Sequence, residues 1–340
     1  VTSTSELPWV EPGAFEVAND VWRVPLPLPN DGLRAVNVYV VVTPDGLVCV
    51  DGGWAIPESR DLFVKALGTM GHDLADVRRF LVTHVHRDHY TQAVSVRQET
   101  GAHVGLGRGE KPTLDLLQDG DRHGMSAQVD GLEACGAPEL AATIRQWIGM
   151  ARPQSAHWES PDTWLGPGPV DLGPRTLEAV ETPGHTRGHL VFYDNAGGLL
   201  FAGDHVLPTI TPSIGFEPVP MDNPLGAFLD SLRVVRERPD ARLLPAHGPV
   251  TESAHARVDE LLAHHDKRLD QTLAAVLGGA RTAHEAGGIL RWTRREHQLV
   301  DLDPFNAMLA VFETAAHLDL LVAQGRLAVT EENSVRVYAP

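Results

Sequence analysis

The segment Thr83-His84-Val85-His86-Arg87-Asp88-His89 places three imidazoles and a carboxylate within six consecutive positions. Imidazole nitrogen and carboxylate oxygen bind divalent ions. With no thiolate among them, the set suits zinc first, with iron or manganese as alternatives. Histidine accounts for only 17 of 340 residues, so composition alone does not supply such a cluster. Without a cation, these groups would be left unpaired in a turn, which is costly wherever the turn is buried. On extended backbone, His84 and His86 project to the same side and can share one ion. Asp88 and His89, on the turn beyond, can face a second. Two coordination shells need more ligands than one loop holds, and three further groups follow apolar runs directly. They are His185 in Thr182-Pro183-Gly184-His185-Thr186, Asp204 in Phe201-Ala202-Gly203-Asp204-His205, and His247 in Pro245-Ala246-His247-Gly248. Strand ends are where an α/β sheet gathers its site. His189 and His205 lie close by in sequence and are read as supporting or pocket-lining residues. The other histidines, including His264, His265 and His317, read as surface or packing residues.

The elements that must carry these groups are legible as short apolar runs. Asp20 to Leu26, Ala35 to Val42 and Leu47 to Asp51 read as strands, with a hairpin turn at Pro44-Asp45-Gly46. A helix is predicted from Pro57 to Met70, closed by Gly71, and a strand from Arg79 to Thr83 delivers the His-rich loop. A second helix is predicted from Tyr90 to Thr100. Strands resume at Thr176 to Glu181, Leu190 to Tyr193, Leu199 to Ala202 and Arg242 to Pro245, with a helix from Pro224 to Arg238. Strands interleaved with helices indicate a layered α/β core. Residues 109–168 break that rhythm. They read as a helical insert over one rim of the site, and Met125, Trp147, Met150, Trp158 and Trp164 within it are candidate walls of an apolar pocket. Residues 1–20 read as a tail. Beyond residue 250 the pattern is three helices and a hairpin turning at Glu332-Asn333, a winged-helix-like arrangement over 251–340.

The bulk composition bounds the partners. Hydrophobic content of 43%, charged content of 21% and a formal net charge of −17 describe an ordinary globular chain. They give no basic surface for nucleic acid or anionic lipid. Two cysteines, Cys49 and Cys135, cannot build a disulfide framework and fit a reducing compartment. No signal-peptide pattern and no apolar run near membrane length is legible, so a cytoplasmic location is expected. Apolar helix faces at the C-terminal end can pack on the core or on a second copy, which leaves a homodimer open.

The set of motifs resembles the metallo-β-lactamase superfamily over roughly residues 20 to 250. The resemblance implies a four-layer αββα sandwich, with residues 21–250 as the catalytic domain and the metals at one edge. It implies a first metal held by His84, His86 and His185, a second by Asp88, His89 and His247, and Asp204 bridging the two. Asp51, in Val50-Asp51-Gly52-Gly53, matches a supporting aspartate of the family. The chemistry implied is hydrolysis by a metal-bridging hydroxide, with Asp88 orienting it and shuttling its proton. Where the family has glycines after the loop, this chain has Tyr90-Thr91-Gln92, which makes Tyr90 a candidate pocket residue. The core followed by a winged-helix-like segment is similar to a branch that includes an RNA-cleaving enzyme.

Four functions compete. The first is a dinuclear hydrolase of a small carbonyl substrate, with thioesters and lactones leading. The second is an endoribonuclease or other phosphodiesterase at the same metal site, disfavoured by the acidic charge. The third is an iron-dependent redox or sulfur-oxidising enzyme of the same fold, and the fourth a non-catalytic metal-binding protein. A complete two-metal ligand set favours hydrolysis.

Overall fold

Apolar alternation along the strands builds two sheets that face each other. The computed structural model describes residues 9–29, 32–119, 126–150, 157–293 and 295–340. The first sheet runs in sequence order: β1 (Phe15–Ala18), β2 (Val21–Pro27), β3 (Ala35–Thr43), β4 (Gly46–Val50), β5 (Val77–Val82), β6 (His103–Gly107) and β7 (Thr163–Leu165). β4 to β7 are parallel and the rest antiparallel. The second sheet contains β8 (Gly168–Asp171), β9 (Thr176–Glu181), β10 (Leu190–Asp194), β11 (Leu199–Gly203) and β12 (Arg242–Pro245), in the spatial order β12-β11-β10-β9-β8.

Three apolar clusters define the four layers. Tyr39, Val41, Val50 and Leu81 of the first sheet meet Leu177, Leu190, Phe192 and Phe201 of the second, forming the inter-sheet core. The opposite face of the first sheet, with Val38, Val40 and Phe80, is covered by α1 (Pro57–Thr69) through Phe63 and Leu67 and by α2 (Arg87–Thr100) through Val94. The opposite face of the second sheet, with Val191, Tyr193 and Leu200, is covered by α6 (Pro224–Glu237) through Phe228 and Leu232. Because both faces of the central strands are buried, they read as near-continuous apolar runs. The expected αββα sandwich is therefore present.

Several elements differ from the sequence reading. β1 lies inside the segment read as a tail, where Arg23 stacks over its Phe15 ring at 4.9 Å. The insert contributes β7 to the first sheet as well as α3 (Lys111–Gln118), α4 (Ser126–Ala134) and α5 (Pro138–Met150). Its last two helices pack into the helical layer, where Gln128 of α4 donates to the Phe216 carbonyl at 2.8 Å. Val129, Leu132, Ala141 and Ile144 join the cluster on the second sheet's outer face, alongside α7 (Ala254–Leu277), α8 (Ala283–Ile289) and α9 (Pro304–Ala323). Gly131 gives the Phe312 ring of α9 room to approach α4. The insert and the C-terminal helices thus share one core. The terminal hairpin, β13 (Ala328–Glu332) and β14 (Val335–Ala339), turns at Asn333-Ser334, both with positive φ, one residue beyond the expected turn. α9 is long and apolar enough to cross a membrane by composition, and 61% of its most apolar window is buried in the helical layer.

Candidate metal centre

Four chain segments bring the chemistry to one edge of the sandwich. After β5 the backbone stays extended to His86 (φ −58°, ψ 149°), which caps α2. That helix begins at Arg87, three residues earlier than the sequence suggested, so Asp88 and His89 occupy its first turn. An acidic residue there complements the helix dipole. His185 follows β9. Asp204 follows β11, at a bend where Gly203 takes φ +51°. A Cβ at Gly203 would lie 2.7 Å from both His189 Nε2 and Thr83 Oγ1, so only glycine fits. His247 follows β12, and its loop is anchored from β3, where Asn37 Nδ2 donates to the Pro245 and Gly248 carbonyls and Tyr39 Oη donates to Pro245.

The seven residues form two adjoining groups. The first comprises His84, His86, His185 and Asp204, the second Asp88, His89 and His247, and within each group the ligand atoms lie within 4.8 Å of one another. Asp204 faces both: its Oδ2 is 3.5 Å from His185 Nε2, and its Oδ1 is 3.3 Å from His247 Nε2 and 3.6 Å from His89 Nε2. Asp88 Oδ2 lies 3.4 Å from His247 Nε2 and 3.6 Å from His89 Nε2. These separations are long for N–H···O bonds. They match the roughly 3.3 Å edge of a tetrahedron whose ligands sit about 2.0–2.1 Å from a central ion.

Outer hydrogen bonds fix which nitrogen each imidazole presents. Asp51 accepts from the Thr83 amide (2.8 Å), from Thr83 Oγ1 (2.9 Å) and from His89 Nδ1 (2.9 Å). With its only proton given to Asp51, Thr83 Oγ1 must accept from His84 Nδ1 (3.0 Å). His185 Nδ1 donates to the Ser213 carbonyl (2.8 Å) and His247 Nδ1 to the Ala35 carbonyl (2.7 Å). In their neutral form, four histidines therefore present an Nε2 lone pair, the arrangement that outer-shell partners impose on metal ligands. His86 presents Nδ1, 2.9 Å from His84 Nε2 and 3.2 Å from His185 Nε2. One proton on His86 cannot serve both. His89 Nε2, His247 Nε2 and Asp204 Oδ1 are buried without a hydrogen-bond partner among the described residues. A divalent cation in each group would satisfy all of these atoms at once, so the residues fit a metal centre.

The electrostatics divide along the same line. Burial, reinforced by neighbouring imidazoles, holds His84 far below its usual range and brings His86 down to about 3. Burial also disfavours charge on His89 and His247, but the carboxylates of Asp51, Asp88 and Asp204 outweigh it. His89 rises to about 9 and His247 well above its usual value. Burial would raise Asp88 and Asp204, yet the facing histidines hold both below the ordinary carboxylate range. In the second group, protons stand where a cation would.

The supporting residues divide. His189 stacks on His84 at 5.0 Å. Its Nε2 accepts from the Asp204 amide (3.2 Å), so its Nδ1 donates to Thr182 Oγ1 (2.9 Å). It positions both the His84 ring and the Asp204 backbone. His205 is buried behind the site against Phe228 (5.2 Å), where burial lowers its pKa to about 3. Tyr90 does not line the pocket. Its ring is fully buried in the first-sheet core near Trp158, and its hydroxyl donates to the Glu159 carbonyl. The expected apolar wall is also displaced: Trp158 and Trp164 pack against the outer core of the first sheet, and Trp147 is exposed on α5. Met125 and the Met150 side chain fall outside the described residues. Near the site stands instead Phe216, 6.4 Å from the His86 ring. Phe305 of α9 packs edge-on to Phe216 at 5.8 Å.

Two buried groups were missed. Glu110 accepts from Thr186 Oγ1, beside His185, and burial together with Glu217 raises its pKa to about 8. Nothing in its sequence context marks it. Asn37 did leave a signal, as the one amide in the apolar run Val36 to Val42.

The sequence model of the metallo-beta-lactamase superfamily matches residues 31–247, which span all seven ligand candidates. The chain belongs to the metallo-beta-lactamase superfamily. Among superfamily structures, a metallo-beta-lactamase family protein from Thermus thermophilus is similar with a TM-score of 0.79 at 26% identity, over 95% of this chain and 99% of that one. The atrochrysone carboxyl ACP thioesterase AacuM of Aspergillus aculeatus is 31% identical over 276 residues, 79% of this chain and 68% of that protein. The lactamase-like protein adaB of Aspergillus niger is 26% identical over 260 residues, 75% of this chain but only 63% of its own length.

Proposed function

We propose that the chain is a dinuclear, zinc-dependent hydrolase of small activated carbonyl compounds, with thioesters the leading class and lactones next. The observation that carries this is the two-sided placement of Asp204, one oxygen toward each ligand group. Two divalent ions held there would lower the pKa of a shared water and polarise the carbonyl under attack. The chain's own contribution is positioning and proton handling. Asp88 is the most open of the ligand carboxylates, its side chain 15% exposed against 8% for Asp204. It is therefore the group that can take the proton of an attacking water and pass it to the leaving group. His86 and Asp88 face the entrance. Phe216, with Phe305 packed on it, gives that entrance apolar surface, which suits an acyl chain better than a phosphodiester. The similarity to a thioesterase supports the same ordering.

The test is turnover of the zinc-loaded protein on acyl thioesters, lactones, a bis-aryl phosphodiester and a short RNA, with Asp88→Asn as the comparison. The expected result is thioester or lactone turnover that falls about 10²–10⁴-fold in Asp88→Asn. Phosphodiester or RNA cleavage as the dominant activity overturns the substrate class. Undiminished turnover after complete metal removal overturns the mechanism.

A further inference from the structure

A second constellation of metal-capable side chains lies in the helical layer, apart from the Asp204 centre. His264 and His265 are consecutive on α7, and Glu313 faces them from α9. One nitrogen from each histidine and a carboxylate oxygen lie within 4.8 Å of one another. Consecutive helical residues diverge by about 100°, so a pair converging on a third group must straddle the seam between two helices. Here that seam is the contact of α7 with α9.

The hydrogen-bond chain next to it determines what His265 offers. His317, one turn beyond Glu313, donates from Nδ1 to the Glu313 carbonyl at 2.7 Å. A neutral His317 then has a bare Nε2, which lies 3.2 Å from His265 Nδ1. His265 Nδ1 must therefore carry the proton, and its Nε2 is left as a lone pair. That atom is buried, on a residue with no exposed surface, and has no hydrogen-bond partner among the described residues. The chain from backbone carbonyl to His317 to His265 is the pattern that orients metal-ligating histidines elsewhere. A buried imidazole with an unanswered nitrogen is costly unless something meets it.

The surroundings define what can bind. Burial raises the Glu313 carboxyl above its ordinary range, and no hydrogen bond or ion pair to that carboxylate is found among the described residues. Arg268, the nearest counter-charge, is committed elsewhere. Its Nη1 donates to the Arg291 carbonyl at 2.9 Å, and its guanidinium lies 4.1 Å from the Trp292 ring centre. His264 is exposed, which gives an ion a path in from solvent and leaves room for water to complete the shell. Two imidazoles, one carboxylate and an open position form a zinc-type set.

We propose that His264, His265 and Glu313 form a further binding site for a divalent transition metal, zinc by preference, joining α7 to α9. Arg257, Lys267 and Arg268 all bear on His264 electrostatically. They weaken the site for a dication, so it fills after the Asp204 centre. Its role would be to clamp the helical layer, because a ligand that binds only the folded state stabilises it.

The experiment is metal uptake by the full chain, measured by equilibrium dialysis against buffered free zinc and repeated with cobalt as a spectroscopic probe. Wild type is compared with His264→Ala and Glu313→Gln. The first change is at an exposed position and the second preserves shape, and thermal melts confirm that both fold. The expected result is one equivalent less zinc in each variant at saturation, loss of a late phase in the cobalt absorption titration, and unchanged hydrolytic turnover. Equal stoichiometry in all three proteins overturns the proposal. So does loss in His264→Ala alone, which would indicate only an adventitious ion on a surface histidine.

Discussion

Replacing Asp51 with asparagine tests the whole logic of the metal centre without touching a ligand. The aspartate accepts from three donors: the Thr83 amide, Thr83 Oγ1 and His89 Nδ1. An asparagine of the same shape has one acceptor oxygen and one donor amide. The Thr83 backbone N–H cannot reorient, so the oxygen must face it and the new NH₂ must face His89. Donor then meets donor, and His89 is driven to carry its proton on Nε2, the atom that faces Asp88 and Asp204. Outer-shell changes of this kind cost about 10–100-fold in metal affinity, equivalent to about 1.4–2.8 kcal/mol at 1.4 kcal/mol per decade. The loss should fall on the group formed by Asp88, His89 and His247. His84 keeps its Thr83 contact and should be affected less. Chelator competition resolves the two affinities, and nitrogen-detected NMR of the imidazoles reads the tautomer of His89. Unchanged affinity, or an equal loss in both groups with His89 still protonated on Nδ1, would refute the reasoning.

Two further outcomes follow from the geometry. Metal uptake should depend on pH in one half of the centre only. His89, raised to about 9, and His247, raised well above its usual value, hold protons that a metal must displace. Affinity there therefore climbs as pH rises from 6 toward 9 and falls below. The His84, His86 and His185 group, already neutral, should show a flat profile, as proton release in weakly buffered titrations would reveal. Gly203→Ala should destabilise the protein by about 2–4 kcal/mol, combining about 1–2 kcal/mol for φ > 0 with displacement of His189 and Thr83. A thermal melt within about 1 °C of wild type would count against that packing.

What the sequence disclosed depended on whether the signal was local. The His-rich loop and the turns before His185, Asp204 and His247 are each short and self-contained, and the sandwich follows from apolar runs such as Leu190 to Tyr193. The start of α2 was placed too late because Arg87 and Asp88 have no apolar stripe to mark them as helical. His86 sits at the N-cap without a side-chain capping bond, and Asp88 in the first turn complements the dipole. Tyr90 was assigned to the pocket because it stands where the family has glycines after the loop, yet the rotation of about 100° from His89 to the next helical residue points it into the core. Glu110 and Thr83 act through contacts between segments far apart in the chain, which no local pattern encodes. His265 was read as a packing residue, and its burial agrees. The unanswered Nε2 becomes visible only when α9 brings His317 alongside.

The outer face of the second sheet has a consequence for anyone cutting this chain. Val191, Tyr193 and Leu200 are covered jointly by α6, by helices from the middle of the chain and by helices from its last third. A fragment ending near residue 250 would keep every candidate ligand around Asp204 and still expose a broad oily surface beneath Phe228. Such a fragment should aggregate rather than work as a minimal enzyme, and grafting a different C-terminal segment would require redesigning α4 and α5 to match.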